Sequence, residues 1–316
     1  MKQKLLFLTV AAAFILSAAP KKSNINKLVG VFPEHIKCIA VLSPASRPNE
    51  KTIRQGVAML EKAGIKVKLM PNSFAQNGKR GGTVEQRMAD WNAAVNDPEV
   101  DMILPTRGGS GAHELLKHID WKKFKERNLT LLGFSNITYL LCAMEFHQAG
   151  HPITGPNLGR LVTATDASLD HLKCVLAKKS PKPITLVPLK PGDAKGKVFG
   201  GHLAMLDGNF KSKYKIVPKN RVIFLECVNR DTPTMTKYFD YLNTNGFFDE
   251  AAAVVFCHFN KIKDSGNRDE MFEKWAAQLK CPVYKGYPYG HKNSNHALDY
   301  KATAVIKDNV LTFELE

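Results

Sequence analysis

Three short polar or glycine-bearing clusters follow apolar runs in the chain, where open α/β sheets bind ligands, and each holds residues able to act on a carbonyl or hold an anion. Ser43-Pro-Ala-Ser46 has the make-up of a turn and helix cap. Thr106-Arg-Gly-Gly-Ser-Gly-Ala112 brings adjacent glycines, which let backbone N–H groups approach a ligand and face developing negative charge. That suits an oxyanion hole or an anion cradle, while the missing Lys-Ser/Thr ending argues against a nucleotide phosphate loop. In Leu132-Gly-Phe-Ser-Asn-Ile-Thr138 a buried strand is expected to turn abruptly into a helix at Ser135, with Gly133 relieving crowding beneath the turn. A hydroxyl there is exposed, the helix N-terminus adds partial positive charge, and the Asn136 N–H can face an oxyanion. Ser110, within one residue of a G-x-S-x-G pattern, is a rival nucleophile on local grounds, and a plain capping role is the alternative for Ser135.

A serine hydroxyl attacks only when a base takes its proton, so this chemistry needs a histidine and a residue to orient it. Of ten histidines, His35 precedes the first core strand, and His113, His118, His147 and His171 fall on helical stretches where a surface position is expected. His291 differs. In Tyr287-Pro-Tyr-Gly-His-Lys-Asn-Ser-Asn295 it sits in a loop directly after a strand, with Asn293 and Asn295 as nearby hydrogen-bonding groups. Glu226 ends the run Val222-Ile-Phe-Leu, where a carboxylate has little reason to sit unless paired; the alternative is a strand-end glutamate turned to solvent. His291 and His296 lack a third ligand at a metal-binding spacing, so neither metal nor other cofactor is expected.

The elements that must position these residues read as α/β. From Lys37 to about Gly150, apolar strand candidates (Cys38 to Leu42, Val67 to Met70, Met102 to Pro105, Thr130 to Phe134) alternate with helical spacing. Helices stop at Gly64 and at Asp97-Pro98, and another runs from Ile137 to Gly150. This predicts an N-terminal parallel-sheet α/β domain over residues 20–165. Lysines and prolines gather in residues 166–197, read as an inter-domain linker. A second, mixed α/β, β-rich domain follows over 198–316, with strands at Val222 to Leu225, Ala252 to Phe256 and Val283 to Gly286 and helices near Thr234 to Leu242 and Arg268 to Leu279. It closes with a hairpin turning at Asp308-Asn309.

Lys and Arg outnumber Asp and Glu by 45 to 29, which favours anionic surroundings, but the lysines are scattered as on an ordinary solvated surface. No helix-turn-helix, zinc-finger or RNA-recognition signature turns that charge into nucleic-acid binding. Residues 1–19 have the basic start, apolar run and small closing residues of a secretory signal, with removal expected near Ala19. An exported protein of the periplasm or cell envelope follows; an uncleaved anchor is the alternative because Pro20 is an awkward first residue. No later segment is apolar enough for a membrane span. The six cysteines lie mostly single within apolar runs, so buried free thiols are expected rather than disulfides.

Taken in order, Ser43-Pro-Ala-Ser, Arg107-Gly-Gly-x-Gly, Gly133-Phe-Ser-x-Ile-Thr, Gly155-Pro, Gly200-Gly-x-Leu203, Phe224-Leu-Glu and Gly290-His-x-x-x-Asn295 resemble the LD-carboxypeptidase family of serine peptidases, which includes the microcin C immunity peptidases. The resemblance implies Ser135 as nucleophile, His291 as base and Glu226 as its orienting acid, and decides against Ser110. It implies an oxyanion hole from the Gly109 and Asn136 N–H groups, with Arg107, Gly108 and Ser110 near the substrate. The serine lies in the N-terminal domain of such proteins and the Glu and His in the C-terminal one, so the site forms between them, often in a homodimer. The implied substrate is a murein tetrapeptide losing its terminal D-Ala. The rivals are a peptidyl nucleotide or similar toxin, and a non-catalytic relative that binds wall polymer. Murein-recycling members work in the cytoplasm, which is the alternative to export. The chain departs from the family at Asn136 (usually Asp), Ser110 (often aromatic), His202 (often Asn) and Cys227 (often acidic).

Overall fold

A computed structural model describes residues 24–260, 262 and 267–315; the expected signal, residues 1–19, lies outside them. The first half alternates strand and helix: β1 (Cys38–Leu42), α1 (Glu50–Lys62), β2 (Lys66–Leu69), α2 (Val84–Asn96), β3 (Met102–Pro105), α3 (Trp121–Arg127), β4 (Thr130–Gly133), α4 (Thr138–His147) and β5 (His151–Thr154). The helices start where the sequence supplies caps: Asn49 accepts from the Thr52 N–H, and Thr83 with Gln86 forms a capping box on α2. β1, β3 and β4 are short, almost wholly buried apolar runs, the pattern of strands covered on both faces.

These five strands are parallel, in the order β5-β4-β3-β1-β2. The order reverses between β1 and β3, so the loops after these two strands diverge and leave a crevice at their carboxyl ends. Alternation along β1 sends Ile39 and Val41 into one core, with Leu60, Leu158 and Leu172, and Cys38, Ala40 and Leu42 into the other. The second core runs on without a break into the other half of the molecule, through Leu141, Leu203 and Phe224.

After α5 (Leu158–Leu161) and α6 (Asp166–Leu176) the chain builds an eight-stranded sheet. Its elements are β6 (Ile184–Thr185), β7 (Val187–Lys190), β8 (Ala194–His202), α7 (Leu203–Phe210), β9 (Arg221–Val228), α8 (Thr232–Thr244), β10 (Ala253–Asn260), α9 (Arg268–Gln278) and β11 (Val283–Lys285). The short β12 (Leu298–Asp299) comes next, then β13 (Thr303–Lys307) and β14 (Val310–Glu314). β8 to β11 are parallel neighbours, flanked by antiparallel strands. The closing hairpin turns at Asp308 and Asn309, both at positive φ.

Residues 166–197, expected as a linker, instead carry α6, β6, β7 and the start of β8. β6 and β7 lie at the two edges of the second sheet, where lysine and proline are tolerated, so the linker-like composition is that of edge strands. β12 returns to the first sheet, antiparallel to β5, so the last part of the chain closes that sheet too. All six cysteines are free; five are buried and Cys174 is half-buried.

Candidate active site

The strand-to-helix turn after β4 holds Ser135 at φ 63, a left-handed conformation that a residue with a Cβ adopts at a cost. The turn is a short 3-10 segment, Ser135–Ile137, running straight into α4. Gly133 makes it feasible, since a Cβ there would lie 2.9 Å from both Asn157 Oδ1 and Ile137 Cγ2. Asn157 Oδ1 in turn accepts from the Phe134 N–H at 3.3 Å, fixing the end of the strand.

Ser135 Oγ is 3.0 Å from His291 Nε2, and His291 Nδ1 is 2.8 Å from Glu226 Oε2. Glu226, two residues before the end of β9, has no exposed surface, while the His291 side chain is 13% exposed and its ring rests 4.8 Å from that of Phe134. Burial pushes the Glu226 carboxyl up, but its neighbours, the hydrogen-bonded His291 foremost, oppose this and the group is held below its usual range. Glu226 therefore stays ionised and accepts from Nδ1, leaving Nε2 to take a proton from the serine.

The loop bearing His291 follows β11 and is tied to β5 and to the start of α6. Tyr289 and Thr154 hydroxyls are 2.7 Å apart, the Thr165 N–H donates to the Asn293 carbonyl, and the Asn295 N–H donates to Ser168 Oγ. Asn295 Oδ1 accepts from the Gly290 N–H, directly before His291. His171, expected at the surface, is buried beneath this loop. Its ring lies 3.0 Å from the Ala297 carbonyl and stacks on His296. Desolvation lowers its pKa to about 3, so it is neutral.

The glycine-rich loop after β3 lies against the serine. A Cβ on Gly108 would fall 2.9 Å from Ser135 Oγ and 3.1 Å from the Asn136 nitrogen, so only glycine permits this approach. Gly109, at φ 106, would strike Ser46 Oγ in the same way. Ser46 accepts from the Ser110 N–H and donates its own N–H to the Gly108 carbonyl, a bracing role that a turn-and-cap reading of Ser43-Pro-Ala-Ser46 does not reveal. Asn136 Oδ1 accepts from the Ala112 N–H and Nδ2 donates to Met205 Sδ, so the amide ties the glycine loop to α7. Its carbonyl oxygen does what either Asp or Asn can do there.

Arg80 Nη1 donates to Ser110 Oγ at 2.6 Å and its guanidinium pairs with Glu114. Arg87, 2% exposed, donates to the Gly111 and Pro44 carbonyls and to Glu114. Neither arginine stands out in the sequence: Arg87 falls on α2, which reads as an ordinary amphipathic helix, and Arg80 lies in the glycine-bearing turn before it. Ser110 is thus held by Arg80, and unlike Arg107, Gly108 and Gly109 it lines neither cavity beside Ser135.

A cavity of about 330 Å³ opens on the N-terminal side of Ser135, lined by Asn49, Ile53, Arg107, Phe134 and Asn157 among others. Another of about 340 Å³ opens toward His202, Met205, Asn229 and Arg230. The site can therefore receive a substrate running across the serine, with space on both sides of a scissile bond.

The LD-carboxypeptidase N-terminal domain matches residues 39–152, and the LD-carboxypeptidase C-terminal domain matches residues 195–306. The chain belongs to the LD-carboxypeptidase family. As a member of that family it is a hydrolase, a serine-type carboxypeptidase. It is 26% identical to a probable murein peptide carboxypeptidase of Bacillus subtilis over 96% of both chains. It is also 26% identical to the murein tetrapeptide carboxypeptidase of Pseudomonas aeruginosa, over 86% of this chain and 94% of that one. The LD-carboxypeptidase fold is seen in the crystal structure of muramoyltetrapeptide carboxypeptidase from Oxalobacter formigenes, with a TM-score of 0.80 at 19% identity over 88% of this chain and 98% of that one. The wild-type microcin C7 self-immunity protein matches at 0.81 and 19% identity, over 90% and 97%.

Proposed function

We propose that Ser135, His291 and Glu226 form the catalytic triad of an LD-carboxypeptidase that releases the terminal D-Ala from murein tetrapeptides. The observation that carries this reading is the hydrogen-bonded line from a strained, strand-end serine through His291 to a buried, ionised Glu226. In this mechanism His291 Nε2 takes the Ser135 proton as Oγ attacks the scissile carbonyl. The oxyanion forms beside the Gly109 and Asn136 N–H groups. His291 then protonates the leaving amine, D-Ala departs, and water activated by the same histidine hydrolyses the acyl-enzyme. Arg107 and Gly108, in the cavity wall next to Ser135, contact the substrate.

The relatives named as murein carboxypeptidases support the substrate. The likeness to the microcin C7 self-immunity protein of Escherichia coli, 22% identical over 79% of this chain and 83% of that one, supports a peptidyl nucleotide as the second candidate. The basic, apolar, small-residue start of the chain supports export to the cell envelope, where wall peptides are met.

With purified protein and disaccharide tetrapeptide, D-Ala is released by the wild type. Ser135→Ala loses at least about 10⁴-fold in kcat, and a fluorophosphonate probe modifies the wild type at Ser135. Equal rates for the two proteins would overturn the assignment of the nucleophile. Preferential hydrolysis of a peptidyl nucleotide in competition would replace the substrate.

A further inference from the structure

The two cavities beside Ser135 share five residues: Arg107, Gly109, Ser135, Arg160 and His291. No aspartate or glutamate lines either cavity, whereas Arg107, Arg160 and Arg230 do. The charged residues of both linings are thus cationic, which favours an anionic group entering the site.

The three arginines are not equivalent. Arg107 donates to the Arg47 carbonyl and Arg230 to the Asn229 carbonyl. Arg160, half-buried in α5, has no ion pair or side-chain hydrogen bond among the described residues; only its backbone is engaged, with Asn157 and Thr163. Its position is nevertheless fixed. The next residue back, Gly159, donates its N–H to the Thr106 carbonyl, the residue before Arg107, and Leu158 and Leu161 on either side are buried in the core. A rigid backbone thus presents a cation with no acidic partner to the junction of both cavities, next to the serine.

A carboxypeptidase must tell a chain end from a chain interior, and what distinguishes the end is a carboxylate one residue beyond the scissile bond. A guanidinium suits such recognition because it is always charged and its planar fork binds both carboxylate oxygens. We propose that Arg160 recognises the terminal carboxylate of the substrate and is the residue that restricts this peptidase to chain ends. The inference rests on the reading of Ser135 as nucleophile. Arg160 binds the departing residue, and no bond is made or broken at it.

The test compares a disaccharide tetrapeptide ending in free D-Ala with the same compound ending in D-Ala amide, using wild type, Arg160→Gln and Arg160→Lys. The wild type prefers the acid. Arg160→Gln lowers that preference, measured as the ratio of kcat/KM values, by about 10- to 100-fold, the loss appearing chiefly in KM for the acid, and Arg160→Lys restores part of it. A fluorophosphonate probe, which has no carboxylate, still labels Ser135 in Arg160→Gln, showing that the site is intact. An unchanged acid-to-amide ratio in a variant that still labels would overturn the role of Arg160, as would equal losses on both substrates. Failure of the wild type to label at Ser135 would overturn the nucleophile instead, so the two failures are told apart.

Discussion

The two sides of the site share a hydrogen-bonded frame but differ in what is added to it. Around the serine, polar side chains pair with specific protein atoms: Ser46 with the Ser110 N–H, Asn136 with Ala112, Asn157 with Phe134, and Arg87 with the Gly111 and Pro44 carbonyls. Around the base, His171, His202, His258 and His296 are kept neutral by burial, with pKa values lowered to about 3 or 4. Glu226 Oε1 and the Nδ1 atoms of His258 and His296 are buried without a hydrogen-bond partner among the described residues. The serine side rests on hydrogen-bond geometry, while the His291 side adds desolvation and charge to the hydrogen bonds that tie its loop. Damage to the first should therefore show as misplacement, and damage to the second as a change in protonation.

The largest effect that tests this contrast is on the base side. Glu226→Gln keeps the shape but removes the charge that orients and stabilises a protonated His291, so kcat should fall about 10³- to 10⁴-fold while thermal unfolding stays cooperative. Retention of near wild-type turnover would mean that Glu226 is only a structural partner.

On the nucleophile side, Arg87→Met removes a buried cation and leaves the Gly111 carbonyl without its donor. A loss of about 2–3 kcal/mol in urea unfolding is expected, with a 10- to 100-fold drop in kcat from the loosened glycine loop. A drop in stability with unchanged kcat would show that the loop keeps its position without this brace.

The smallest effect is one of slope. Above about pH 6.5 the buried histidines are neutral in both folded and unfolded chains, and their environment is at no disadvantage. Between about 6.5 and their depressed folded values the unfolded chain binds protons that the folded one does not, so stability falls as pH falls. His171→Gln should flatten stability against pH in that window by about 1.4 kcal/mol per pH unit, measured by urea unfolding from pH 7 to pH 4.5. An unchanged slope would mean that His171 is protonated in the folded state.

What is legible in the sequence follows the same division. Ser135, Glu226 and His291 each close or follow an apolar run, and that local signal, joined to the ordered family pattern, is enough to bring them together. β1 and β3 have the expected limits for the same reason, since continuous apolar runs define them. The braces are not legible: Ser46 meets Ser110 across 64 positions and Asn295 meets Ser168 across 127, and no periodicity reports such pairs. The burial of His171 is hidden because helical spacing says which residues share a face but not that residues 287 to 297 will cover it. The strands within residues 166–197 are hidden because edge strands and linkers use the same lysines and prolines.

The return of β12 to the first sheet also bears on the order of assembly. Ser135 and its glycine loop are made early, but the strand that closes their sheet and the histidine that would activate the serine come from the last 30 or so residues of the chain. These contacts span more than 130 positions, the kind that form late because long loops must close first. A chain that stops short of residue 291 thus carries Ser135 without its hydrogen-bonded histidine, so under the proposed triad the serine gains its proton acceptor only after nearly all of the site has been made.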